Sequence, residues 1–142
     1  MREIQSDQPC PCGQPLSFST CCQPLIAGID IATSAEQLMR SRFTAFAIGA
    51  VDYLIDSLAP ERRSPYEARM LAQELRHTEW LTLTIIDTAK GTPEDSSGEV
   101  EFDAHFKSQD GREGTLHERS NFRKEQGRWV YVDGDVTVNQ SR

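Results

Sequence analysis

The 142-residue chain has no cysteine after position 22, no apolar run near membrane-spanning length and no excess of positive charge. The first absence confines any thiol chemistry to the N-terminal segment and allows one four-thiolate site at most. Crossing a bilayer takes roughly 18 to 20 consecutive apolar residues, and no stretch approaches that. The first seven residues also lack the apolar core of a secretory leader. The expected compartment is the cytoplasm, where thiols stay reduced. Fifteen Lys and Arg against 22 Asp and Glu leave a net charge of −7. Such a field repels phosphate backbones, so nucleic acid is not an expected partner. The basic residues Lys107, Arg112, Arg119, Arg123, Lys124 and Arg128 cluster in sequence, but Glu113, Glu118 and Glu125 interrupt them. There is no glycine-rich phosphate loop, no nucleophile–base–acid constellation, no internal repeat and no long low-complexity run.

What the chain does have is four cysteines within 13 positions: Cys10, Cys12, Cys21 and Cys22. Zinc takes four soft or borderline ligands in a tetrahedron. Cys10-Pro11-Cys12 offers two thiolates from one tight turn, and Gly13 permits the positive φ that turn needs. Cys21-Cys22 brings the second pair after a gap long enough to wrap an ion. A disulfide within either pair would be strained. Bridges between the pairs need an oxidising compartment, and the spacing differs from familiar iron–sulfur patterns. One structural zinc ion is therefore the expected cofactor. Four protein ligands leave no open position, so metal-assisted hydrolysis is not expected.

The remaining chain reads as three helices followed by four strands. Thr33-Ser34-Ala35-Glu36 predicts a capping box, and Ala35, Leu38, Met39, Phe43, Phe46 and Ala50 follow helical spacing. Residues 51–58 predict a second short helix ended by Pro60. Ser64, Pro65 and Glu67 start a third, with Tyr66, Met70, Leu71 and Leu75 expected on its inner face. After Trp80 the period changes to two. Leu81, Leu83 and Ile85 mark one strand, Val100, Phe102, Ala104 and Phe106 a second, 116–122 a third and 129–138 a fourth. This order predicts an α+β fold whose helices cover the apolar face of a curved antiparallel sheet. The expected division is a zinc segment at 1–30 and an α+β domain at 33–142.

Two charged residues fall where apolar ones belong. Arg42 lies within the apolar arc of the first helix, and Glu118 shares parity with Leu116, Ser120 and Phe122 on the third strand. Burying either alone is costly, so a direct Arg42–Glu118 ion pair is expected. It would border a candidate pocket with Trp80 and Tyr131 as aromatic walls. His117 has the opposite parity and points to solvent, His105 alternates with acidic residues, and His77 sits at a helix end.

Cys10-Pro11-Cys12-Gly13 with Cys21-Cys22 resembles the SEC-C motif. Adding Leu38-Met39-Arg40-Ser41-Arg42-Phe43-Thr44-Ala45-Phe46, His117-Glu118-Arg119-Ser120-Asn121-Phe122 and Arg128-Trp129-Val130-Tyr131-Val132-Asp133-Gly134, the whole chain resembles the YchJ family of bacterial proteins. The resemblance implies a zinc segment followed by a cystatin-like, nuclear-transport-factor-2-like (NTF2-like) cone with a pocket between helices and sheet. It differs from many SEC-C segments in having no lysine between its cysteine pairs. Without that basic charge, the partner binding of such segments does not carry over.

The expected function is a non-enzymatic zinc protein that binds a protein partner or a small ligand. The alternative is an enzyme using the cone pocket, with Glu118 or His117 as acid or base. Fold-level analogy adds a homodimer through the open sheet face.

Overall fold

Helix α2 (Ala35–Ile48) organises the molecule, and its N-terminus lies one residue beyond the predicted cap. In the computed structural model, which describes residues 2–140, Ser34 is extended and its Oγ accepts from the Gln37 N–H at 3.1 Å. Gln37 Oε1 reaches back to the Thr33 N–H at 2.7 Å. The capping box is thus Ser34–Gln37. Glu36, expected in that role, instead pairs with Arg40 one turn on at 3.0 Å. Gly49, at φ +82°, ends the helix with its N–H on the Ala45 carbonyl.

Before α2 lies α1 (Gln23–Ile26), a single turn with Pro24 in its first turn. After it come α3 (Val51–Asp56) and α4 (Pro65–His77). α3 stops short of the expected residue 58 because the next residues leave to pair with the sheet. Ser64 caps α4 through the Glu67 N–H as its sequence predicts. Only Leu71 and Leu75 are buried there, whereas Tyr66 and Met70, expected inward, are 62% and 46% exposed. At 100° per residue those two lie well off the Leu71–Leu75 stripe, and α4 touches the core along that stripe alone.

The four strands β1 (Thr78–Lys90), β2 (Ser97–Ser108), β3 (Glu113–Glu125) and β4 (Arg128–Gln140) form an antiparallel meander in sequence order. Val100, Phe102, Ala104 and Phe106 alternate onto the core face as predicted. In β1 the alternation breaks. Trp80 pairs with Phe106 and Leu83 with Ala104, so Leu81 is an extra residue in a bulge and Trp80 takes the core position. A second irregularity follows Ile85, and a third makes Val132 the extra residue of β4. Arg2 ties the N-terminus to the first bulge by donating to the Trp80 and Leu81 carbonyls, both at 3.1 Å.

One buried cluster joins the cysteine segment to the sheet, running from Cys10, Cys12, Phe18 and Cys22 through Leu38 and Phe43 to Trp80, Phe102 and Phe122. A second, of Ala45, Leu54, Leu71 and Leu75, joins α2, α3 and α4. Nine of the fourteen α2 residues are buried because the sheet, α3 and the cysteine segment surround it. This explains how Ser41, Arg42 and Thr44 come to be buried beside Phe43. Among the described residues, no helix is long and apolar enough to cross a membrane.

Candidate metal centre and pocket

The four sulfurs all lie within 4.8 Å of one another. Cys10 and Cys12 sit in a turn closed by the Gly13 N–H on the Cys10 carbonyl, with Gly13 at φ +92°. A bridge between Pro9 and Ser17 holds the loop's base. Cys21 follows the 3-10 turn Phe18–Thr20, and Cys22 opens α1. Cys12 Sγ is 3.5 Å from Cys21 Sγ, which is 3.9 Å from Cys22 Sγ. A zinc–sulfur bond of about 2.3 Å sets a tetrahedral edge of about 3.8 Å, so the donor set fits a metal ion. Covalent disulfide distance is about 2.05 Å, and all four thiols are free.

The charges of the cluster point the same way. Hydrogen bonds from Cys12 and Cys22 push the Cys10 pKa far down, while the same contact with Cys10 pushes Cys22 far up. Burial raises Cys21 to about 12. So without a cation the group favours one thiolate held by neighbouring thiols, and a divalent ion would reverse this by stabilising all four as thiolates. Three contacts that the sequence did not reveal surround the sulfurs. Thr44 Oγ1 is 3.7 Å from Cys10 Sγ, Gln14 Oε1 is 3.3 Å from Cys21 Sγ, and Arg40 donates to the Cys12 carbonyl at 2.7 Å.

The four predicted pocket residues, Arg42, Trp80, Glu118 and Tyr131, line one cavity of about 250 Å³ between the helices and the sheet. Arg42 and Glu118 are only 4% and 8% exposed, yet the expected ion pair between them does not form. Tyr131 stands between the two charges. The Arg42 guanidinium lies 4.8 Å over the Tyr131 ring, and the Tyr131 hydroxyl donates to Glu118 Oε2 at 2.6 Å. Ser120 Oγ donates to the same oxygen at 2.6 Å. Arg42 Nη1 donates to the Leu54 carbonyl at 2.8 Å and to Ser57 Oγ at 2.5 Å. Each charge is thus met by neutral dipoles and an aromatic face. Burial lowers the Arg42 pKa to about 10, which leaves it protonated at neutral pH. Burial also raises the Tyr131 hydroxyl, with Glu118 adding to the effect.

The Val132 bulge makes this arrangement possible, because it puts Tyr131 and Gly134 on the same face of β4. Gly134 faces Ser120 across the ladder, and a Cβ there would collide with the Glu118 carboxylate. The mid-strand glycine was the legible sign of this close approach. The backbone of Tyr131 is fixed from its other edge by the Ala59 N–H and the Ser57 carbonyl, both at 2.8 Å. Glu67 and Glu74 of α4 complete the polar lining. The sequence marked Glu67 only as a capping residue of α4, and nothing in it singled out Glu74. Glu67 pairs with Arg62 at 3.1 Å. Glu74 makes no hydrogen bond or ion pair among the described residues, and burial raises its pKa, with Glu118 contributing.

His117 lies outside the cavity, on the outer sheet face, with Nδ1 2.7 Å from Asp103 and Nε2 2.9 Å from Glu101. Arg119 continues this row onto Glu99, Glu101 and Asp87. His105 contacts Thr115 on the same face, and His77 contacts Gln109 at the end of α4.

Residues 34–134 match the family model described as YchJ, middle NTF2-like domain. A UPF0225 protein of Geobacter sulfurreducens is 39% identical over 125 residues, covering 88% of this chain and 77% of that protein. The solution structure of a SEC-C motif containing protein from Rhodopseudomonas palustris is 36% identical, with a TM-score of 0.81 over 89% of this chain and 96% of that one. The crystal structure of a SEC-C motif containing protein from Psychrobacter arcticus is 27% identical, with a TM-score of 0.77 over 94% and 85%. An uncharacterized protein with a cystatin-like fold from Caulobacter vibrioides, 13% identical with a TM-score of 0.53 over 75% and 87%, shares the fold alone. A family model that matches residues 34–134 and a relative 39% identical over 88% of the chain together show that the chain belongs to the YchJ family.

Proposed function

We propose that this protein is a non-enzymatic binding module in which one structural zinc ion on Cys10, Cys12, Cys21 and Cys22 fixes the N-terminal segment against α2, and the cavity binds a small organic ligand. The zinc half rests on sulfur separations near a tetrahedral edge in a closed four-thiolate set. It presumes a reducing compartment, the cytoplasm. The observation that carries the ligand half is an apolar and aromatic cavity of about 250 Å³ whose wall includes a carboxylate, Glu74, with no hydrogen-bond or ion-pair partner among the described residues. A purely structural core satisfies such groups. Binding without turnover is favoured because the described lining holds no serine, cysteine or histidine, and Glu118 is already engaged by two hydroxyls. A second reading, acid–base chemistry at Glu118, gains support only from Glu74, a half-buried carboxyl with a raised pKa beside it.

Elemental analysis with thiol titration tests the first half. One zinc per chain and four thiols masked until chelation are expected; freely reactive thiols in metal-free protein would remove it. A fragment screen by NMR on the zinc-loaded chain tests the second. Binders that shift the Trp80 indole N–H and Leu116 methyl signals are expected, and a screen that moves neither would overturn it.

A further inference from the structure

Resting on the ligand reading above, we infer that the cavity selects a small organic cation, a protonated amine carried on an apolar or aromatic body. Five charged side chains line the cavity: Arg42, Arg62, Glu67, Glu74 and Glu118. Arg62 and Glu67 neutralise each other at 3.1 Å. Arg42 and Glu118 are coupled through Tyr131, the cation on its ring face and the anion on its hydroxyl. That leaves Glu74 as the one unbalanced charge of the lining. It projects from α4 with no hydrogen-bond donor among the described residues, and its only charged influence raises its pKa. A carboxylate partly withdrawn from water with no protein donor calls for a cation that brings its own donors.

The rest of the wall suits the same occupant. Trp80, 6% exposed, sits in an aromatic cluster with Phe46 at 5.9 Å and Phe106 at 5.4 Å between ring centroids. An indole face is the best aromatic surface for a cation, and Met39, Phe43 and Leu116 would receive an apolar body. An anionic ligand would face three carboxylates, and both guanidiniums that could meet it are already held, Arg42 by Leu54, Ser57 and Tyr131 and Arg62 by Glu67.

The test uses three probes that share a phenyl body: 2-phenylethylamine, 2-phenylethanol and 3-phenylpropanoate, titrated by NMR into the zinc-loaded full chain at neutral pH. The amine is expected to bind at least about tenfold more tightly than either isostere, because a charged pair that is removed from water outweighs a neutral contact. Glu74→Gln is expected to bring the amine down to the level of the alcohol. Glu74 is partly buried and makes no hydrogen bond or ion pair among the described residues, so Glu74→Gln removes no contact that holds the fold, which an unchanged spectrum outside the cavity checks. Equal binding of amine and alcohol, preference for the acid, or an amine preference that survives Glu74→Gln would each overturn the cation inference while leaving a ligand pocket in place. Failure of all three probes, together with an empty fragment screen, would overturn the pocket reading as well.

Discussion

Arg40, Ser41 and Arg42 are consecutive on α2 and serve three different neighbours. Arg40 holds the cysteine loop through the Cys12 carbonyl, Ser41 meets the Tyr53 hydroxyl at 2.7 Å, and Arg42 closes the end of α3. Helical angles alone marked Arg42 as buried, and strand parity marked Glu118. Neither rule identifies the partner, because the partner is set by the Val132 bulge, fourteen residues from one charge and ninety from the other. On the outer face the same parity rule placed His117 correctly. Both its ring nitrogens face carboxylates, an arrangement that imidazolium alone satisfies with two donors. The hydrogen bond to Asp103 is the main reason its pKa is raised, with Glu101 adding to it. A raised folded-state pKa means that the stabilisation is fully present below the unfolded value of about 6.5 and is lost as pH rises through the folded value. The His117 ring is therefore expected to titrate above 6.5 by NMR. Urea unfolding should show a His117→Ala penalty at pH 6 that fades at alkaline pH. A midpoint at or below 6.5 would contradict the pairing.

At the scale of elements, the helices and strands were legible wherever a local signal decided them: Ser64-Pro65 for α4, Gly49 for the end of α2, strict alternation for β2. The differences arise where tertiary contacts choose among local options. Thr33 and Ser34 are both good caps, and the choice goes to Ser34 because Gln37 can then return to the Thr33 N–H while Glu36 stays free to pair with Arg40. Ser34→Ala is accordingly expected to cost about 1 kcal/mol of stability. Thr33→Ala removes only a hydroxyl contact to Gln37 at 3.1 Å and should cost clearly less. Chemical denaturation of the two variants discriminates between the caps, and a larger loss at Thr33 would restore the box predicted from sequence. The β1 and β4 bulges had no such signal. Trp80 reads as the residue before an alternating run, and only its pairing with Phe106 puts it on the core face. Since Trp80 and Tyr131 both owe their positions to bulges, the pocket's members were legible and its wiring was not.

For the molecule as a whole, the question is whether the cysteine segment is an appendage or part of the core. The sequence alone predicts an appendage: with Leu16, Phe18, Leu25 and Ile26 as its apolar residues, removing the metal should unravel residues 8–25 and spare the rest. The packing argues otherwise. Leu16 is 46% exposed, but Phe18, Cys10, Cys12 and Cys22 are buried in the same cluster as Leu38, Phe43 and Trp80. Arg40 and Thr44 connect α2 to the cysteine loop, and the Arg2 N–H reaches the Ala47 carbonyl at 2.8 Å. Structural zinc typically contributes about 10–16 kcal/mol in small modules, while a whole domain is stable by only about 5–15 kcal/mol. Terms of that size in a shared core are expected to rise and fall together. Chelation should therefore lower the melting temperature of the entire protein. At roughly 2–8 °C per kcal/mol, losing even ~4 kcal/mol shifts it by ~8 °C or more. Amide exchange locates the effect. Protection at Thr44, Ala45 and Ala47 of α2 should fall along with protection at residues 18–27, in one transition. If α2 and β1 keep their protection while the cysteine segment exchanges freely, the segment is an appendage after all, and its zinc stabilises a local loop rather than the fold that carries the pocket.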